Sequence, residues 1–232
     1  MPKQELVVFT GAGVSAESGL RTFRDSDGLW EEYRIEDVAT PTAWQRNPEL
    51  VLHFYNLRRE QVLAAMPNPA HRTIADLEKH FHVQVVTQNI DDLHERAGST
   101  RVMHLHGEIR KARSTTDPTI ITNINGPSLV LGEKCRLGSQ LRPHIVWFGE
   151  EVPLIPAAAE LIAKADKLLI VGSSLQVYPA AGLIHYAPRG CDVVLVDPNE
   201  VDTLRPGVRH IKRTASEGVP LLAAEWVAES SS

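Results

Sequence analysis

Two histidines, an amide pair and a glycine-rich turn are the groups in this chain whose types and spacing could do chemistry. His104 and His106 stand in the run Val102-Met103-His104-Leu105-His106-Gly107, and the two-residue period of a strand places both imidazoles on one face. Imidazole titrates near neutral pH. His106, beside Gly107 where the strand must end, could therefore act as a general base. The pair could instead ligate a metal, although no third ligand stands at a suggestive spacing, or could be satisfied structural histidines. Thr87-Gln88-Asn89-Ile90-Asp91-Asp92 closes another apolar run. The Gln88 and Asn89 amides both donate and accept, which suits an amide or a ribose, and Asp91 could accept from an amide or position a cation. Asn89 or Asp91 could equally cap a helix.

The third group begins where Leu6-Val7-Val8-Phe9 breaks into Thr10-Gly11-Ala12-Gly13-Val14-Ser15-Ala16-Glu17-Ser18-Gly19. This reads as strand, tight turn, helix start. Gly11 and Gly13 let the backbone turn sharply and approach a ligand closely. The N–H groups of the helix start favour an anion such as a pyrophosphate. Alone, Gly11-x-Gly13-x-x-Ala16 is a weak dinucleotide fingerprint, and an ordinary strand-to-helix turn would look the same. Ser18, Phe23 and Arg24 follow in a loop too polar for a core and too specific for a linker.

The elements that must position these groups form an α/β pattern. Strand-like runs at 6–9, 83–87, 102–105, 168–171 and 193–196 are rich in Val, Ile and Leu with little alternation, as in a parallel sheet buried on both faces. Each ends in glycine or polar residues, and ligands of such sheets bind beyond the carboxyl ends of the strands. Helices are expected at 48–66, 69–80, 155–165 and 217–227. Two stretches interrupt the rhythm: a mostly helical one, and an irregular one rich in Thr, Asn, Gly and Pro. The expected layout is one catalytic domain over 1–232, with a large lobe of 1–27, 67–108 and 143–232 and a small lobe of 28–66 and 109–142. The 232 residues, net charge −5 and two cysteines give no basic field for nucleic acid and no disulfide framework. No run approaches the ~20 apolar residues of a membrane span, and no leader is read at the N-terminus. A cytoplasmic monomer without nucleic-acid or membrane partners is expected.

Taken together, Gly11-Ala12-Gly13-x-Ser15-x-x-Ser18-Gly19 with Phe23-Arg24, Thr87-Gln88-Asn89-Ile90-Asp91, His106-Gly107, Trp147-Phe148-Gly149-Glu150 and Gly172-Ser173-Ser174-Leu175 resemble the sirtuins, NAD-dependent protein lysine deacylases. The resemblance runs from about residue 5 to the last helix. It implies a Rossmann-like parallel sheet flanked by helices, with a smaller lobe made of a helical insertion and a degenerate zinc-ribbon-like insertion. It implies NAD as co-substrate and acylated lysine side chains of proteins as partners. Gly11, Ala12, Gly13, Ser15, Glu17 and Ser18 would hold the cofactor, with Ser15 at the pyrophosphate. Phe23 and Arg24 would shape the nicotinamide-ribose site, and Gln88, Asn89, Ile90 and Asp91 would hold the ribose and the nicotinamide amide. Gly172, Ser173, Ser174, Asp197 and Ala215 would serve the adenosine half. Catalysis would fall to His106, as general base, with Asn89, Asp91 and Arg24. Val146, Trp147, Phe148 and Gly149 would clamp the peptide by strand addition. The acyl-lysine oxygen would attack the nicotinamide ribose, and His106 would activate a ribose hydroxyl, giving lysine, nicotinamide and O-acyl-ADP-ribose.

Tyr55 and Arg58, at i and i+3 of the first long helix, could grip a carboxylate; a solvated arginine beside a half-buried tyrosine is the plain alternative. The pair matches the tyrosine-x-x-arginine of class III sirtuins, which remove succinyl and malonyl groups, and Ala39 matches the small residue beside their wider acyl pocket. Acetyl removal is expected as well. Two features depart from the family. Its four zinc cysteines are replaced by Arg113-Ser114-Thr115-Thr116 and Lys134-Cys135-Arg136-Leu137, so no zinc is expected. Apolar contacts from Ile120, Ile121, Ile124, Leu129, Val130 and Leu131 should hold the small lobe. Asp197 stands where the family has asparagine. Mono-ADP-ribosyl transfer and a non-catalytic NAD-sensing module are the alternatives. A dehydrogenase would need an acidic residue on a second strand about 20 residues past the glycine loop, and none is there.

Overall fold

The computed structural model describes residues 3–20, 29–30 (backbone only), 33–203 and 205–230. In chain order it begins with β1 (Glu5–Thr10), a one-turn α1 (Gly13–Ala16), a short antiparallel pair β2 (Leu29–Trp30) and β3 (Tyr33–Arg34), then α2 (Ile35–Val38), α3 (Pro41–Arg46), α4 (Pro48–Ala64) and α5 (Pro69–Asp76). It continues through β4 (His82–Thr87), α6 (Leu93–Ala97), β5 (Val102–His104), β6 (Gly107–Ser114), β7 (Ile121–Asn123) and β8 (Leu141–Ile145). The last part is α7 (Ile155–Ile162), β9 (Lys167–Val171), β10 (Asp192–Val196), β11 (Arg209–Ile211) and α8 (Ala215–Ser230).

Six strands form one parallel sheet in the order β11-β10-β9-β1-β4-β5. Alternate residues of each strand enter different cores, which is why these runs show no polar alternation. Leu6, Val8, Val83, Val85, Leu169, Val171, Val194 and Val196 pack against Ala70 and Ile74 of α5 and Val219, Leu222 and Trp226 of α8. Val7, Phe9, Val86, Leu168, Ile170, Val193 and Leu195 pack against Ala158, Ala159 and Ile162 of α7 and against Leu183 and Ile184. The five expected strands are present. β11 was not expected: Arg209-His210-Ile211 is a three-residue edge strand without an apolar run.

The stretch expected to be irregular contains a three-stranded antiparallel sheet, β7-β6-β8. β6 alternates between buried and more exposed residues. Its inward side chains include only Ile109 as a large aliphatic, the others being Gly107, Ala112 and Ser114, so its apolar signal is faint. Helix α4 docks on this sheet through Arg59, which is fully buried. Its Nε donates to the Ile109 carbonyl (2.8 Å), and Nη1 donates to Asn56 Oδ1 (2.7 Å) and the Pro127 carbonyl (3.0 Å). The expectation for the apolar contacts needs correction. Ile120, Ile124 and Leu129 pack with Leu52, Ala112, Cys135 and Leu141, but Ile121, Val130 and Leu131 are exposed. Hydrogen bonds do part of that work: Ser139 Oγ lies 2.6 Å from Ser114 Oγ and 3.1 Å from Cys135 Sγ.

Candidate functional site

The loops leaving β1 and β9 meet at the carboxyl edge of the sheet, where the connections diverge to either side, the usual ligand crevice of an open parallel sheet. Gly11 donates to the Val171 carbonyl (3.0 Å) and Gly13 to the Gly172 carbonyl (2.9 Å). A Cβ on Gly11 would stand 2.7 Å from the Gly172 oxygen, and one on Gly13 2.7 Å from Gly172 Cα. Gly172 itself has φ +58°. Glycine is thus required by the interlocking of two backbones. The helix that follows is a single turn, capped by Ala12 without a side-chain bond. The expectation of anion binding by that helix start therefore weakens, because few peptide dipoles align there.

This interlock aims two serines at the loop after β4. Ser173 Oγ donates to Gln88 Oε1 (3.1 Å). Ser15 Oγ donates to Asp91 Oδ2 (3.0 Å) and accepts from Asn89 Nδ2 (3.2 Å). Ser15, expected at a pyrophosphate, is directed to Asn89 and Asp91, and all three are buried. Asp91 Oδ1 also accepts from Leu93 N–H (3.1 Å) at the start of α6, although the N-cap residue of that helix is Asp92. Burial raises the Asp91 pKa. Ser18 accepts from Asn68 Nδ2 (3.1 Å). Glu17 Oε2 accepts from the N–H of Ser216 (2.8 Å), tying the glycine loop to the start of α8 beside Ala215. Asp197, at the end of β10, turns Oδ1 back onto Asn199 N–H (2.9 Å). Ile90 gives its carbonyl to Ile109 N–H (2.8 Å). Ser174 follows Ser173 in the β9 loop. Phe23 and Arg24 lie outside the described residues.

His106 Nδ1 lies 3.0 Å from the Gln88 carbonyl. A carbonyl only accepts, so Nδ1 carries the proton and Nε2 keeps its lone pair. Burial lowers the His106 pKa against the pull of that bond, and the ring is neutral near pH 7. His104 makes the same bond one residue on, with Nδ1 2.9 Å from the Asn89 carbonyl, but its Nε2 meets Glu95 Oε1 at 2.7 Å.

Two further histidines, His71 and His94, underlie the site and escaped sequence reasoning. Their rings meet edge-on with centroids 4.8 Å apart. His94 Nε2 lies 3.1 Å from Thr10 Oγ1, and His71 Nε2 lies 3.5 Å from Ser15 Oγ. Burial pushes His71 down to about 4 and His94 well below its ordinary value. Both are therefore neutral hydrogen-bonding groups. The visible signal was Asn68-Pro69, an N-cap followed by proline. Histidine in place of Glu or Gln as the reciprocal capping-box residue hid the rest.

A second cluster adjoins the first through Val146, whose N–H donates to the His106 carbonyl (2.9 Å). Phe148 donates to the Ala39 carbonyl (3.0 Å), so the segment of Val146, Trp147, Phe148 and Gly149 is tied both to the histidine and to the helical insertion. Tyr55, Ala39 and Trp147 share one apolar cluster with Phe54 and Ile145, and Arg58 is only 6% exposed. Desolvation raises the Tyr55 phenol far above its ordinary value, against Trp147, Arg142 and Arg58. The Arg142 guanidinium stacks 3.3 Å over the Trp147 ring. Glu150 gathers this region. Its carboxylate accepts from Arg142 Nη1 (2.7 Å) and Nη2 (3.0 Å), from Arg113 Nη2 (3.0 Å) and from the Trp147 N–H (2.8 Å).

The sequence profile of the Sir2 family matches residues 11–179, most of the chain and nearly all of both clusters. The chain belongs to the Sir2 family. An NAD-dependent protein deacylase of Bacteroides thetaiotaomicron is 53% identical over 222 residues, 93% of this chain and 95% of that protein. One of Helicobacter pylori is 52% identical over 195 residues, 84% of this chain and 85% of that protein. A crystal structure of a Sir2 homologue in complex with NAD superposes with a TM-score of 0.87 at 39% identity, covering 98% of this chain and 90% of that one.

Within this Sir2 fold, no three His, Cys, Asp or Glu side chains among the described residues are gathered as a metal site would need. No helix among them is long and apolar enough to cross a membrane. Glu150 is the feature that the sequence reading underweighted, because its role rests on Arg113 and Arg142, 37 and 8 residues away. Partial burial raises its pKa, but Arg142, the Trp147 N–H and Arg113 outweigh that and hold it below the ordinary value. Replacing Glu150 with Ala leaves two largely buried guanidinium groups uncompensated and should cost about 3 kcal/mol in urea unfolding. Because the folded-state pKa is depressed, this stabilisation is complete above the ordinary carboxylate range and is lost as pH falls through the folded value. The wild-type minus Glu150→Ala difference should therefore shrink below about pH 4. A difference that is constant with pH would contradict the assignment.

Proposed function

We propose that this Sir2 chain removes succinyl and malonyl groups, and also acetyl, from protein lysines, consuming NAD and releasing nicotinamide and O-acyl-ADP-ribose. The observation that carries the acyl preference is Arg58: a guanidinium almost withdrawn from water, on the same helix face as the buried Tyr55 and on the helix that packs against Ala39. A buried cation beside an apolar cluster suits an acyl chain that ends in a carboxylate, with the arginine fork and the phenol as donors. Deacetylation needs the same reacting groups but not this pair.

NAD supplies the electrophilic ribose carbon and a leaving group. The residues present suit it: amide and carboxylate groups of Gln88, Asn89, Asp91 and Asp197 stand at strand ends beside a glycine-lined crevice, ready for ribose hydroxyls and a carboxamide. Gly11, Ala12, Gly13, Ser18, Gly172, Ser173, Ser174 and Ala215 would line the rest, and Phe23 and Arg24 would serve the nicotinamide ribose. Ser15 orients the Asn89–Asp91 pair. His106 accepts a ribose hydroxyl proton at Nε2, its tautomer fixed by Gln88. The segment of Val146, Trp147, Phe148 and Gly149 receives the peptide backbone as an added strand, which would hold the acyl-lysine in line and exclude water.

Arg58→Met should lower kcat/KM for a succinyl-lysine peptide about 10- to 100-fold, the worth of a charge-assisted bond, and leave the acetyl-lysine peptide near wild type. Equal losses on both peptides would make Arg58 a structural residue. His106→Asn should bind NAD yet lose about 10²- to 10⁴-fold in turnover. The wild-type acid limb should lie below the ordinary histidine value, since burial depresses the base.

The small lobe is read as metal-free. Ser114, Ser139 and Cys135 form a hydrogen-bonded knot in the region where the family carries two cysteine pairs. Elemental analysis of protein purified without chelator should find no stoichiometric zinc, and chelator should leave Tm unchanged. One zinc per chain would refute this reading.

A further inference from the structure

Two histidines two residues apart make the same bond with one nitrogen and differ at the other. Nδ1 of His106 and of His104 reach the carbonyls of consecutive residues, Gln88 (3.0 Å) and Asn89 (2.9 Å). Among the described residues nothing donates to His106 Nε2. His104 Nε2 instead lies 2.7 Å from Glu95 Oε1 on α6. Both neighbours of His104 only accept, so both of its nitrogens carry protons and the ring is an imidazolium facing a carboxylate. One ring of the pair is thus a neutral base and the other a buried cation.

The carbonyl that His104 holds belongs to Asn89. Asn89 is fixed at two other points: its N–H donates to Thr87 Oγ1 (3.0 Å) and its amide to Ser15 Oγ (3.2 Å). The peptide plane that carries the Asn89 carbonyl also carries the Ile90 N–H, pointing the opposite way. Whatever fixes the carbonyl also fixes that donor, the Asn89 side chain and the approach to Asp91.

We propose that His104 and Glu95 are positioning residues: as an ion pair they lock the Asn89–Ile90 peptide, and NAD is bound productively only while His104 holds both protons. This deepens the deacylase reading and rests on it. Burial alone would lower His104, but Glu95 overrides it and the pKa is raised, with Asn89 and Glu108 adding to the rise. Glu95 is correspondingly lowered. The other groups that face His104 are Asp91, which its charge helps to ionise, and His94, which it helps to keep neutral, while Lys111 faces Glu95. For a raised histidine the doubly donating form is complete below the ordinary value and is lost as pH rises through the folded one. Turnover should therefore fall on the alkaline side.

The test is a pH profile of kcat and of KM for NAD and for an acetyl-lysine peptide, on wild type, His104→Gln and Glu95→Gln, together with ¹⁵N NMR titration of the imidazoles. His104→Gln should lower kcat about 10- to 100-fold, the usual scale for an ångström of misplacement, raise KM for NAD, leave KM for peptide unchanged and lose the alkaline limb. Should that variant fail to fold, Glu95→Gln carries the test, since its alkaline limb must move to lower pH. A His104 ring that is neutral at pH 7, or an alkaline limb unchanged in Glu95→Gln, overturns the proposal. A wild-type protein without NAD-dependent deacylation would sink the deacylase reading instead, and would leave the imidazole titration to judge the ion pair by itself.

Discussion

Everything at the carboxyl edge depends on two stretches of backbone lying closer than a methyl group would allow. Gly11 and Gly13 press against Gly172, so the loops after β1 and β9 behave as one rigid seam. From that seam Ser15 and Ser173 reach across to Asn89, Asp91 and Gln88 on the loop after β4. Three strand ends are thereby held in fixed relation without a long helix or a disulfide to brace them. The sheet supplies the order of the strands, and the seam supplies the sub-ångström placement that amide and carboxylate groups need if they are to meet a sugar.

Beneath the seam lies a layer of polar groups that water does not reach. Thr10 bonds to Thr87 and to His94, and Ser15 to His71, while His94 Nδ1 is left without a hydrogen-bond partner among the described residues; the bonds that are made hold these groups in one arrangement because breaking them in a buried layer is costly. Above it the two histidines of the β5 end divide the work by environment: burial keeps one neutral, and a carboxylate keeps the other charged. The second cluster is built on a different principle. There Glu150 concentrates two guanidinium groups and a backbone N–H on one carboxylate, and Arg142 lies flat on Trp147. Segment 146–149 is thus braced by charge where the glycine seam is braced by close approach.

Much of this was legible in the chain. The double-sided apolar strands announced a parallel sheet, and the residues that end them announced the edge where a ligand would sit. Tyr55 and Arg58 could be paired from helical spacing, and His104 with His106 from strand spacing. What could not be read was long-range. Glu95 is nine residues from His104 and on another element. His71 looks like a surface histidine in a helix until it is seen under Ser15. β6 carries its inward positions mostly on small residues, so its alternation is weak, and β11 is too short to leave a pattern. Val130 and Leu131 read as core and lie at the surface, because apolar type sets a tendency while the small sheet had already filled its interior with Ile120, Ile124, Leu129 and Leu141.

The first strand sits in the middle of the sheet, with β4 on one side and β9 on the other. During synthesis it leaves the ribosome before the other five strands of the sheet, yet its second neighbour is complete only when Val171 has been added. At about 5–20 residues per second that wait is roughly 10–30 s. Throughout it, an apolar ribbon with one bare edge is open to pairing with other nascent chains. The architecture that joins β1 and β9 at one glycine seam therefore leaves the newborn polypeptide with an unpaired edge on β1 until Val171 has been added.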